Sequence, residues 1–170
     1  MDGKSEYTIY SSPATTETER YAAQELKQYL YEISGAQLPI TQEPHQKTIY
    51  VGFQGAPKAL LNSLKPNGFG KEEYIIREQN EALLIAGDEP RDTLYGTIGF
   101  LQDHLGCRWY SKDVITTPNQ TTISIKGLND RQAPVFEYRE PWYREAYDYS
   151  FHYNENATSF PVNHSQQSVK

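Results

Sequence analysis

The sequence predicts an α/β sandwich, a mixed β-sheet with two amphipathic helices packed on it. Three observations carry this reading. Two segments, beginning near Thr16 and Pro90, place apolar residues on one side at helical spacing. Each ends at a glycine, Gly35 and Gly106, as helices that stop in a left-handed cap do. Short runs rich in strand-forming residues lie before, between and after them.

The elements follow in order. Tyr7–Ser11 alternates and reads as a first strand. Ser12-Pro13 leads into the first helix, and Thr16 with Glu19 three residues later fits a capping box. Ala22, Leu26, Leu30 and Ile33 form its apolar stripe, with Tyr29 beside them. Lys47–Phe53 is the next strand. Residues 54–70 hold Gly, Pro and Asn, with a short helical turn around Lys58–Leu64. Glu73–Glu78 and Ala82–Ala86, separated by Gln79-Asn80-Glu81, read as a hairpin. The run "ALLIA" is continuously apolar, which predicts an interior strand covered on both faces. Asp88-Glu89-Pro90 opens the second helix, with proline in its first turn and Leu94, Ile98, Leu101 and Leu105 as its stripe. After Gly106 the segment Cys107–Tyr110 is extended, and Thr121–Lys126, "TTISIK", alternates as a further strand would.

Length and charge set the outer limits. A chain of 170 residues suits one domain of ordinary size with an appendage, and buries a core without metals or disulfides. Its 16 Lys+Arg against 22 Asp+Glu give a net charge of −6 with no basic block, which argues against nucleic acid as a partner. The single cysteine cannot form an internal disulfide. No apolar run reaches the roughly 18 residues of a membrane span. The polar start, Met1-Asp2-Gly3-Lys4, suits a cytoplasmic protein, and equally a periplasmic or extracellular bacterial one whose export signal was removed. Sequons at Asn119, Asn156 and Asn163 read as chance matches.

Past Leu128 the character changes. Pro134–Asp148 is crowded with aromatics and charges, and Asn154–Lys170 is polar and aperiodic. The expected division is an α/β domain over 1–130, a linker and the start of a further domain over 131–150, and a disordered tail over 151–170.

The catalytic inventory is thin. There is no GxSxG and no HExxH, the four histidines are scattered, and the Gly68-Phe69-Gly70 stretch is too short to cradle a phosphate. No metal or other cofactor is expected. Cys107 reads as a small buried thiol. The carboxylates Glu137, Glu140, Glu145, Asp148 and Glu155 are numerous, but a glycosidase needs two of them placed across a sugar, and proximity in sequence does not supply that. Aromatics remain: Trp109, Tyr110, Trp142 and Tyr143 could stack on sugar rings as an independent carbohydrate-binding module does. The competing reading of "HLGCRWYSK" is structural. Alternation then turns Cys107 and Trp109 inward, and Arg108 and Tyr110 outward.

Five segments, "AAQELKQYLYEISGAQLPI" (22–40), "IYVG" (49–52), "EEYIIR" (72–77), "LLIAGDEPRDTLYGTIGFLQDHLGCRWYS" (83–111) and "PVFEYREPWY" (134–143), occur in that order. Together they resemble the N-terminal domain of bacterial α-glucuronidase-like glycoside hydrolases, including multidomain proteins carrying the domain called DUF4838. A similar domain precedes the barrel of β-N-acetylhexosaminidases. The family pattern has Arg-Gly where this chain has Arg91-Asp92. The resemblance implies a hexosaminidase domain-2-like sandwich that is non-catalytic alone and supports a C-terminal (β/α)8 catalytic barrel acting on polysaccharide. Such a barrel takes about 200 residues or more, so the expected content here is the accessory domain and the first barrel strand. In the β-N-acetylhexosaminidase relatives an arginine on that strand contacts sugar hydroxyls. Phe136-Glu137-Tyr138-Arg139 has that pattern, which implies Arg139 as a sugar contact in a full-length parent.

Overall fold

The computed structural model describes residues 4–61, 64, 68–111 and 113–135. These belong to the first of two compact units, Met1–Tyr138; the second, Arg139–Lys170, lies outside the described residues, as do Trp142 and Tyr143. The first unit is a mixed α/β structure. Its main sheet has six strands: β1 (Thr8–Tyr10), β2 (Ile40–Thr41), β3 (Thr48–Val51), β4 (Tyr74–Gln79), β5 (Ala82–Gly87) and β8 (Asn129–Gln132), in the spatial order β2-β1-β3-β5-β4-β8. The first four in that order are parallel, and β4 and β8 run antiparallel to their neighbours. A two-stranded ribbon, β6 (Arg108–Ser111) and β7 (Val114–Thr116), stands apart from it.

Strand alternation sorts the core into two layers. Ile9, Ile49, Val51, Ile76, Leu83 and Ile85 face one way and meet helix α1 (Glu17–Ser34) and helix α3 (Pro90–Gly99). Tyr10, Tyr50, Ile75, Leu84 and Ala86 face the other way, under the short helix α2 (Lys58–Leu61) and the loop carrying Phe53 and Phe69. Every residue of β5 is buried, because that strand is paired on both sides and covered on both faces. The continuous "ALLIA" run predicted this.

Helix α1 forms as its sequence dictates. The Thr16 hydroxyl accepts from Glu19 N at 3.3 Å, and Glu19 accepts in return from Thr16 N at 3.0 Å. Two of the orphan donors of the first turn are thereby satisfied. Ala22, Ala23, Leu26, Leu30 and Ile33 bury the inner face. Gly35 closes the helix at φ +73°, a left-handed conformation costly to a side chain.

Helix α3 packs differently. Its fully buried positions are Asp92, Thr93, Gly96 and Thr97; Leu94 and Ile98 of the expected stripe are only partly buried. The face toward the sheet is therefore small, and the helix lies close. A methyl group at Gly96 would sit 3.2 Å from Ile85 Cγ2 and from Tyr74, and one at Gly99 would strike the Tyr74 ring at 3.0 Å. One at Gly87 would meet backbone, Asp92 C at 2.8 Å and Glu73 O at 2.9 Å. Beyond Gly99 the helix widens into a π turn, Phe100–His104, with Leu105 N bonding Phe100 O at 3.2 Å. The looser winding leaves Phe100, Leu101 and Leu105 all buried.

Three differences from the sequence reading have physical causes. Thr121–Lys126 is not a strand. Its alternation is real, since Ile123 and Ile125 pack on the helix-side core, but its backbone joins no ladder, and Gln120 N instead bonds Ile33 O at 2.8 Å. The strand β8 was unforeseen because its sequence, Asn-Asp-Arg-Gln, has no apolar face. Its side chains fix it: Arg77 Nε donates to Asn129 at 3.1 Å, His104 Nε2 bonds Asp130 at 3.1 Å, and Tyr74 Oη donates to Gln132 at 2.9 Å. Arg131 clamps Glu73 with both Nε and Nη2 and lies 4.5 Å over the Phe69 ring. The two-residue β2 and three-residue β7 are too short to show a period.

The geometry at Gly87 makes a prediction. Gly87→Ala should lower stability by about 3 kcal/mol, as overpacking against backbone does, seen as an earlier urea midpoint at unchanged slope. An unchanged midpoint would mean that α3 does not approach the sheet this closely.

Candidate functional site

The residues singled out for sugar contact begin where the π turn ends. Gly106 has φ +86°; the space beside it is open, with only Pro118 at 3.8 Å, so the backbone angle and not crowding requires glycine there. Cys107 N then bonds Leu101 O at 2.9 Å, and the Cys107 side chain is wholly buried. Arg108 folds back over the turn and donates to the carbonyls of Gln102 and Cys107, satisfying acceptors at the helix end.

Trp109 is half-buried, so it borders the core without entering its interior. Its indole Nε1 donates to Tyr29 Oη at 2.7 Å, and the two rings meet edge to face with centroids 5.2 Å apart at 79°, a favoured aromatic geometry. Ile115 lies directly across the ribbon from it. Tyr110 is 70% exposed, with Val114 at 52% and Ile115 at 47%. The structure thus gives Trp109 a structural partner and leaves Tyr110 open. Arg139, Trp142 and Tyr143 are outside the described residues.

Helix α1 carries Tyr21, Glu25, Tyr29 and Glu32, and of these Tyr29 meets Trp109. The 21, 25, 29 spacing, one residue every four, is visible in the sequence and marks a single helix face. Burial pushes the Tyr21 hydroxyl up to about 12, with the Glu25 charge adding to it. Burial likewise raises the Glu25 carboxyl, opposed by the Tyr21 hydroxyl and reinforced by Glu32. Tyr29 is raised by burial, with the Trp109 hydrogen bond acting against it. The Cys107 thiol is pushed up by burial and by Glu32 more than Arg108 lowers it. A buried thiol held protonated is a poor nucleophile.

Several other acids are occupied structurally. Glu19 and Asp92 close helix N-termini, Asp92 in the first turn of α3 receiving Glu89 N at 3.2 Å. Glu78 receives Gly127 N at 2.9 Å and Glu81 N at 3.0 Å. Glu72 pairs with Arg91 at 2.7 Å and Glu6 with Lys47. Among the described residues no group of three or more His, Cys, Asp or Glu is arranged to hold a metal ion, and no helix is long and apolar enough to cross a membrane. Surface hollows are present among the described residues. One of about 380 Å³ is lined by Gln24, Lys27, Gln28, Tyr31, Gln37 and Ile40. Another, about 620 Å³, is lined by residues including Glu6, His45, Lys47 and Glu81. Neither includes Trp109 or Glu25.

A two-layered mixed sheet with paired helices on one face defines an α/β sandwich domain, and the same fold occurs in a solved glycoside hydrolase. The chain superposes with a TM-score of 0.64, at 21% identity over 81% of its length, on a family GH115 4-O-methyl-α-glucuronidase, BtGH115A, with specificity for decorated arabinogalactans. It spans 18% of that enzyme's chain. A GH138 enzyme targeting pectin rhamnogalacturonan II aligns at 20% identity over 58% of this chain and 13% of its own, with a TM-score of 0.42, too low to bear on the fold. No curated protein matches the chain. Residues 4–100, more than half of the sequence, match the family described as the glycosyl hydrolase family 67 N-terminus, and the chain belongs to that family.

Two measurements check the site's geometry. Trp109→Ala should cost about 3 kcal/mol, the low end for truncating a large aromatic, because the ring is only half-buried. Trp109→Phe should cost less, about 1 kcal/mol, chiefly the hydrogen bond to Tyr29. Equal melting midpoints for wild type and Trp109→Ala would place the ring in solvent. The tyrosines give a pH test. Tyr21 and Tyr74 both titrate at about 12 in the fold, each raised first by burial, against about 10 when unfolded. A raised acid favours the fold fully below pH 10, and that contribution is lost as pH climbs through 12. Stability should therefore fall over that window, and Tyr21→Phe should shallow the fall. An unaltered alkaline profile in Tyr21→Phe would contradict the assignment.

Proposed function

We propose that this chain is the non-catalytic N-terminal accessory domain of an α-glucuronidase-like glycoside hydrolase, supporting a (β/α)8 catalytic domain. The observation that carries the reading is the match of residues 4–100 to the family 67 N-terminus. The use of the acids supports it. Retaining and inverting glycosidases need two carboxyl groups facing one another across a sugar, about 5–10 Å apart. Here Glu19, Glu72, Glu73, Glu78, Asp92 and Asp130 are engaged in caps, clamps and ion pairs. We keep the division into 1–130, 131–150 and 151–170 as part of this proposal; β8, Asn129–Gln132, spans the first limit. Arg139 belongs to it as a sugar contact in a full-length parent, where a guanidinium fork suits vicinal hydroxyls or a uronate carboxylate.

The purified 170-residue chain should release no measurable product from aryl glucuronides or glucuronoxylan oligomers. Turnover that persists through purification, and that disappears on replacing one carboxylate within residues 1–130, would overturn the reading. A second reading, an independent carbohydrate-binding module, draws on the 70% exposure of Tyr110. It requires Tyr110→Ala to abolish retention on polysaccharide without altering the melting midpoint.

A further inference from the structure

We propose that the hollow between the outer stripe of α1 and the edge strand β2 is a binding groove for a uronic-acid-bearing saccharide, distinct from the Trp109–Tyr110 ribbon. Gln24, Lys27, Gln28 and Tyr31 stand at i, i+3, i+4 and i+7, one solvent-facing line on the helix. Gln37 and Ile40, from the connection to β2 and from β2 itself, form the opposite wall. The volume, about 380 Å³, falls in the range of roughly 300–1,000 Å³ of small-ligand clefts.

The chemistry of the lining selects the ligand. Tyr31 is 49% exposed and Ile40 38%, so each wall offers an apolar surface to the hydrophobic C–H face of a sugar ring. Three side-chain amides supply donors and acceptors together, which is what hydroxyls, themselves both, require. Gln28 is oriented by its bond to Glu32, Nε2 to Oε1 at 3.0 Å, and its amide oxygen stays available. Lys27 is the only charged lining residue, and among the described residues no acid pairs with it. An unpaired ammonium beside an aromatic and three amides fits a single carboxylate on an otherwise neutral saccharide. It does not fit a polyanion, which needs many cations. The uronate class rests on the glycoside-hydrolase reading; the groove itself does not.

The test is an NMR titration of the full ¹⁵N-labelled chain with xylotriose bearing one 4-O-methylglucuronic acid, and in parallel with neutral xylotetraose. The expected shifts are confined to residues 24–40, with the acidic sugar bound more tightly. Tyr31→Ala should weaken both sugars at least tenfold. Lys27→Gln should remove the difference between them. All three proteins should melt alike, since both side chains are exposed. Absence of shifts, shifts on β6–β7 instead, or full affinity in Tyr31→Ala would each overturn the groove. A chain that binds neither sugar and has no turnover would still be the accessory domain, whereas turnover would remove that reading and leave the groove to be judged by its own shifts.

Discussion

Helix α3 can lie against β4 and β5 only because Gly87, Gly96 and Gly99 carry no side chains at the contact. A helix is ordinarily held off a sheet by its own side chains; here Tyr74 and Ile85 fill the space that methyl groups would need. The closeness fixes the rest of that end of the domain. It places Tyr74 so that its hydroxyl reaches Gln132, which helps seat β8. It brings His104, at the end of the π turn, to Asp130 of the same strand. It also sets where Gly106 releases the chain into the β6–β7 ribbon.

How much of this could be read in the sequence depended on whether a residue's role is local. The Thr16–Glu19 capping box and the Gly35 cap involve neighbours a turn apart, so they were legible. The buried β5 was legible because two-sided covering demands an unbroken apolar run. Helix α3 was placed correctly, and Leu101 and Leu105 of its expected stripe are buried, but the buried face of its first turns was not. Leu94 and Ile98 look like the inward stripe, yet Thr93, Gly96 and Thr97 take that place, because distance to the sheet is set by partners far along the chain. Strand β8 was hidden for the same reason: each of its polar side chains is satisfied from residues at least 26 positions away. "TTISIK" shows the converse, an alternating segment whose isoleucines pack on the core with no strand beside them.

The candidate site divides along similar lines. Trp109 and Tyr110 were found by residue type, but only the fold shows that Trp109 is held by Tyr29 while Tyr110 faces solvent. The outer stripe of α1 has no signature in the sequence because exposed glutamines on a helix are ordinary; it borders a hollow only when β2 folds alongside. In the same way, the abundance of acids gives no hint of catalysis until their partners are seen. Caps, clamps and ion pairs use several of them as structural parts.

The central physical claim is that the α3–sheet contact is the keystone and the β6–β7 ribbon an outgrowth upon it. Native-state hydrogen exchange on the full chain tests this most directly. The slowest amides should be those of β3, β5 and α3, exchanging only through global unfolding, while amides of β6 and β7 exchange through local opening at much lower denaturant dependence. Ribbon amides as protected as those of β5, or α3 amides that exchange ahead of the sheet, would contradict the account.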